Sequence, residues 1–89
     1  RRQRQMCIRD RIRGRAEALD DLSIHWFLGH YLKERTPNQA VFLLEERVMN
    51  GYVPNFLLSY GRAIEIIEPE NLKKRLADIA LELMEYYQN

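Results

Sequence analysis

The side chains with chemistry to offer are spread along the chain. His25 and His30 are the two histidines, five positions apart across a predicted helix end. A metal-binding pair on one helical face stands three or four apart, so this spacing describes ordinary solvated or partly buried histidines. The single cysteine, Cys7, excludes an internal disulfide and a cysteine-built zinc site. Glu45, Glu46, Glu65, Glu68 and Glu70 are carboxylates of the kind used in acid–base catalysis, but no His, Ser or Cys accompanies them at a suggestive spacing. Glu65 alternates with apolar Ile64 and Ile66 and is expected to face solvent or a partner. There is no glycine-rich phosphate loop, and Gly51 and Gly61 read as breakers. These residues predict no enzyme, no metal and no cofactor.

The cations suited to an anionic ligand are Arg47 and Arg62, with Arg75 behind them, because a guanidinium presents a bidentate fork to phosphate or carboxylate. Arg47 and Arg62 are the ligand-binding candidates. Lys73-Lys74-Arg75 is diluted by acidic neighbours and reads as a solvated face. Trp26 with Phe27 offers a stacking platform for a base. Trp26 also falls on a helical apolar stripe, which places it in the core, with Phe27 less decided. Tyr87 is expected to pack, and Tyr86 to be exposed or at a subunit contact.

The elements that must hold these residues follow from periodicity. Ala16, Leu19, Leu22 and Trp26 recur at three- and four-residue steps and predict a helix over 16–28, ended by Gly29. His30 to Thr36 is a predicted strand and Pro37-Asn38-Gln39 a turn. The apolar run Val41 to Leu44 predicts the longest strand, over 40–49, although propensity alone also permits a helix there. Asn50-Gly51 breaks it. A short helix over 52–60 is expected to start with Pro54 at its first position, a strand over 63–67 to follow, and a helix over 70–87 to start at Pro69. Leu72, Leu76, Ile79, Ala80, Leu83, Met84 and Tyr87 share one face of that last helix. Ile12-Arg13-Gly14 reads as the end of a first strand whose start is lost, although Cys7 to Arg13 alternates loosely and Cys7, Ile8 and Ile12 could lend it a foreign start. The order is that of an α+β, ferredoxin-like split βαββαβ sandwich with an added C-terminal helix and a truncated first strand. Both connecting helices are then expected on one face of a four-stranded antiparallel sheet.

At 89 residues the chain is one small domain at most, with no apolar run long enough to span a membrane and nothing like a signal peptide. Its net charge is +1, unevenly spread. Residues 1–11 hold Arg1, Arg2, Arg4, Arg9 and Arg11 against Asp10, and the remainder carries nine Lys/Arg against twelve Asp/Glu. Nucleic-acid binding would therefore rest almost wholly on residues 1–11. Those residues, Arg-Arg-Gln-Arg-Gln-Met-Cys-Ile-Arg-Asp-Arg, back-translate in frame into a string that resembles a transposase-based sequencing adapter running into its mosaic end. That resemblance marks 1–11 as a non-native segment joined to a fragment, 12–89, of a longer protein, and it removes the basic arm from functional reasoning. The fragment alone is expected to be weakly soluble or oligomeric, since a missing first strand bares a sheet edge.

A second resemblance lies further on. Leu57-Leu58-Ser59-Tyr60-Gly61, then Ile64-Glu65-Ile66-Ile67-Glu68-Pro69, then Leu72 and Arg75-Leu76, resembles the end of bacterial WYL-domain transcriptional regulators, the C-terminal extension called WCX. The family pattern is an "LLSYG" helix end, a "VEVLEP" strand and a helix opening "xxLRxxL". Phe56 stands where the family commonly has Trp. The likeness is strong from about Leu57 onward and weak before Ala40. It implies a WCX-like C-terminal regulatory domain over 12–89 with the ferredoxin-like fold and no catalysis of its own. The family further implies cytoplasmic transcriptional regulation and a homodimer formed through the full-length protein. It implies DNA contacts through an N-terminal winged helix, and a nucleic-acid or nucleotide-like effector sensed by the WYL domain. Neither of those domains is in this sequence, so only scaffold positions carry over: Leu57, Leu58, Gly61, Ile64, Ile66, Pro69, Leu72 and Leu76. Two other readings of the same fold are an ACT-type small-molecule-binding module, paired edge to edge, and an acylphosphatase-like hydrolase. The hydrolase needs a phosphate-cradling loop with an arginine after the first strand, for which Gly14-Arg15 is the only candidate.

Overall fold

The middle of the sheet is built from residues on both sides of the expected junction between Arg11 and Ile12. In the computed structural model, which describes residues 7–88, Cys7–Gly14 forms strand β1. β1 pairs antiparallel with β3 (Gln39–Glu45) from Cys7 opposite Glu45 to Arg13 opposite Gln39. On its other side it pairs antiparallel with β4 (Ile64–Glu68). β2 (Leu32–Thr36) pairs antiparallel with β3 at one edge. The sheet is four-stranded, in the order β2-β3-β1-β4. The first strand is thus eight residues long, with Cys7 and Ile8 lending it the start that the sequence left open.

Alternation along the strands sorts the residues into two faces. Ile12, Ala40, Phe42, Leu44 and Ile66 point to one side. There they join Leu19 and Leu22 of α1 (Ala16–Ile24), Met49 of α2 (Glu46–Asn50), Val53 and Leu57 of α3 (Tyr52–Leu58) and Leu72 of α4 (Glu70–Gln88) in a single core. The other face contributes no residue to that core cluster. It presents Arg9, Arg11 and Arg13 in a row on β1, flanked by Glu65 and Glu68 on β4. The chain passes from β1 to α1 at a tight approach. A Cβ on Gly14 would lie 2.5 Å from the Ala63 carbonyl oxygen, so only glycine fits. The Arg15 N–H donates to that same oxygen at 3.0 Å.

Several boundaries depart from the sequence reading, each for a local reason. α1 stops at Ile24, because His25 turns extended (ψ 138°) and its Nδ1 accepts the N–H groups of Phe27 at 3.0 Å and Leu28 at 3.1 Å. A side chain that satisfies backbone donors locally competes with continuing the helix. A short 3₁₀ turn, Leu28–Tyr31, then leads into β2. The expected strand over 40–49 divides after Glu45, where pairing with β1 reaches Cys7, and Glu46–Asn50 coils into α2 so that Met49 enters the core. Pro54 is the third residue of α3, still within the first turn that tolerates proline. Gly61, in a second 3₁₀ turn (Gly61–Ala63), has φ +56°, the left-handed conformation expected of it. Pro69 directly precedes α4, and its carbonyl accepts the first helical N–H groups, from Leu72 and Lys73. Among the described residues no helix is long and apolar enough to cross a membrane.

Candidate interaction surfaces

The two ligand-binding candidates do not meet. Arg47 follows the end of β3, where Glu45 pairs with Cys7, and Arg62 precedes the start of β4, where Ile64 pairs with Gly14. Those are opposite ends of β1, about 23 Å apart along an eight-residue strand. Arg47 is exposed and reaches the Glu45 carboxylate two residues back, at 3.3 Å. Arg62 is exposed in the turn before β4. Arg75 and Lys73 lie on the exposed side of α4, and Lys74 pairs with Asp78 at 3.3 Å, the pairing expected from their spacing.

The open sheet face is internally satisfied at its β4 side. Arg11 Nε donates to Glu68 Oε2 at 2.9 Å and its Nη1 to Gln39 Oε1 at 3.1 Å. Arg13 Nη2 donates to Glu65 Oε1 at 2.8 Å, and this hydrogen bond, then the guanidinium charge itself, holds the Glu65 carboxyl below its ordinary range. Glu65 does face away from the core, as its alternation with Ile64 and Ile66 requires. Among the described residues, no His, Cys, Asp and Glu side chains gather in a group able to hold a metal ion.

A charged group that sequence reasoning did not single out lies inside. Asp10 faces the core between Ile8 and Ile12, is 0 % exposed, and neither of its carboxylate oxygens has a hydrogen-bond partner. Burial, then the nearby Glu68 carboxylate, pushes its pKa from 3.8 up to about 7. The signal was present in the alternation Ile8-Asp10-Ile12, which places all three on one side of a strand.

The aromatic residues form the most distinctive surface. Trp26, expected in the core, is 73 % exposed, because α1 ends before it and the His25-centred turn swings it outward. Its ring stacks on His25, with centroids 5.4 Å apart, and His25 packs against Phe56 at 4.3 Å. Tyr52 stacks on Phe56 at 5.6 Å with an interplanar angle of 13° and meets Phe27 edge-on at 5.7 Å. Phe27 touches Tyr31, and Phe56 touches Tyr60. Six of the nine Phe, Trp and Tyr residues therefore join His25 in one cluster where α3 meets the segment after α1. The Tyr60 phenol is pushed up by burial, then by Asp21, then by Tyr52.

A second apolar surface is the far end of α4. Leu72 and Ile79 are buried and Leu76 half-buried, but Leu81, Leu83, Met84, Tyr86 and Tyr87 are 48–77 % exposed. Tyr87 thus does not pack as its place on the stripe predicts, because the helix runs past the rest of the core after Ile79. Comparison of the chain with protein-family models, with curated proteins and with solved structures gives no match.

Proposed function

We propose that residues 12–89 are the C-terminal extension of a bacterial WYL-family transcriptional regulator. In this reading it is a cytoplasmic regulatory and dimerisation module that helps couple effector sensing to DNA binding by domains outside this sequence. The observation that carries the reading is the ordered motif. Leu57-Leu58-Ser59-Tyr60-Gly61 closes α3 on a left-handed glycine, Ile64 to Glu68 is β4, and Pro69 to Leu76 opens α4. The finer fold reading is ferredoxin-like, βαββαβ plus α4. It is supported by the strand order β2-β3-β1-β4, by antiparallel pairing at every neighbour, and by α1 and α2–α3 on the same face.

Residues 1–11 are in this reading a non-native lead. Asp10 supports it: an unpartnered carboxyl between two core isoleucines is what a strand not selected for this core carries. The apolar end of α4 suits a contact with a second copy or with the upstream domains. The test uses the regulator encoded by the uninterrupted reading frame. It should bind DNA from its own promoter, and removing residues 70–88 should change that affinity, or its response to a single-stranded oligonucleotide, at least about tenfold. Promoter binding and effector response indifferent to that removal would count against a coupling role.

A further inference from the structure

We propose that His25 is a pH-operated latch: the neutral imidazole fixes the turn after α1 and the aromatic cluster packed on it, and the imidazolium releases both. A pair of backbone hydrogen bonds carries the inference. The N–H of Phe27 donates to His25 Nδ1 at 3.0 Å, and the N–H of Leu28 donates to the same atom at 3.1 Å. A ring nitrogen that accepts carries no proton, so the one ring N–H of His25 is at Nε2. A proton on Nδ1 turns that acceptor into a third N–H facing two others, and both bonds are lost. An imidazole takes up this proton between about pH 8 and pH 5, so the change falls close to neutrality.

The same ring joins the turn to α3. It stacks on Trp26 with centroids 5.4 Å apart and meets Phe56 at 4.3 Å and Tyr52 at 6.4 Å. Ile24 and Trp26 are exposed, Phe27 is half-buried, and Leu28 is fully buried in the core. Release is therefore local: Ile24 to Phe27 come away from α3, while Leu28 and β2 stay. The charged groups on the surrounding elements are few. α3 carries none, Asp21 stands four residues before His25 on α1, and His30 lies in the 3₁₀ turn that follows. Lys33 and Arg62 stand two residues beyond Tyr31 and Tyr60, which touch Phe27 and Phe56. Asp21 and these cations act on the ring with opposite signs, and among the described residues no carboxylate forms an ion pair with it. The two N–H donors thus make protonation and opening of the turn one equilibrium. This inference does not depend on the family reading.

Amide exchange and nitrogen-15 spectra of the histidine rings, both on the full chain, test it. At about pH 7.5 the ring of His25 should carry its proton on Nε2. Between about pH 7.5 and pH 5, protection of the Phe27 and Leu28 N–H groups, corrected for the pH dependence of intrinsic exchange, should fall at least about tenfold. Protection in β1 and β3 should hold or rise, because Asp10, neutral in the fold at the lower pH, acts with the opposite sign. His25→Asn keeps a side-chain acceptor that does not titrate and should abolish the fall, whereas His30→Gln should leave it in place. Protection of Phe27 and Leu28 indifferent to pH, a proton on Nδ1 at the higher pH, the same fall in His25→Asn, or its disappearance in His30→Gln would each overturn the latch.

Discussion

Asp10 is the residue at which stability and pH are joined. Its carboxyl is protonated in both folded and unfolded chains well below pH 4, and there the contribution to stability is complete. As pH rises above its ordinary value of 3.8 the unfolded chain ionises first, while burial holds the folded carboxyl neutral up to about pH 7. Folded protein therefore binds more protons across that window, and stability falls as pH rises through it, by about 4 kcal/mol in all. Urea melts between pH 4 and pH 8 should show that decline. Asp10→Val should remove most of it and stabilise the domain at pH 8 by about 2–4 kcal/mol. His25 is the second residue with a definite expectation. His25→Ala leaves two backbone N–H groups without their acceptor and should cost about 1–2 kcal/mol by the same melts. Asn in its place retains an acceptor and should recover part of that loss. Trp26 shows what a periodicity argument misses at this scale. Its position on the 16–28 stripe is correct for a helix, but the helix does not reach it, since His25 Nδ1 satisfies the next backbone donors instead.

At the scale of elements, α4 behaves as two parts. Leu72 is 1 % exposed and belongs to the core, whereas Leu83 is 48 % exposed on the same stripe. Leu72→Ala should cost about 2–5 kcal/mol in a thermal or urea melt, and Leu83→Ala less than about 1 kcal/mol. Any effect of Leu83→Glu should instead show in self-association, read by sedimentation of the full chain. The stripe itself was legible because 3.6-residue periodicity is a local property. How much of it finds a partner is a tertiary property that periodicity does not contain. The same distinction explains β3 and α2. Val41 to Leu44 announced a strand, but where it stops is set by the entry of Met49 into the core, and the polar residues after Leu44 are good helix formers. β4 and the start of α4 were legible nearly to the residue, because Gly61 and Pro69 punctuate them with backbone constraints that few residues satisfy.

For the whole molecule, α+β class and a four-stranded antiparallel sheet were readable from element order alone. The surfaces were not, since no pattern in the chain tells that residues 24–31 and 52–60 converge into one aromatic cluster, or that Arg47 and Arg62 stand at opposite ends of the sheet. β1 lies between β3 and β4, so the molecule depends on a strand of which Cys7–Arg11 falls in the segment proposed above to be non-native. Residues 12–89 expressed alone lose the β1–β3 pairing from Cys7↔Glu45 to Arg11↔Val41 and the Arg11↔Glu68 pairing to β4, and should give no cooperative thermal transition, read by circular dichroism.

The central claim is that this domain is the regulatory end of a longer transcriptional regulator, and long-read sequencing of the native locus across the codons for Arg11 and Ile12 tests it most directly. The expected result is an open frame upstream of Ile12 that encodes a winged helix and a WYL domain. That frame should also supply a different β1, with an apolar residue at the core-facing position that Asp10 occupies here. A native frame that runs through Arg1-Arg2-Gln3 into Ile12, or an upstream frame without those two domains, would contradict it.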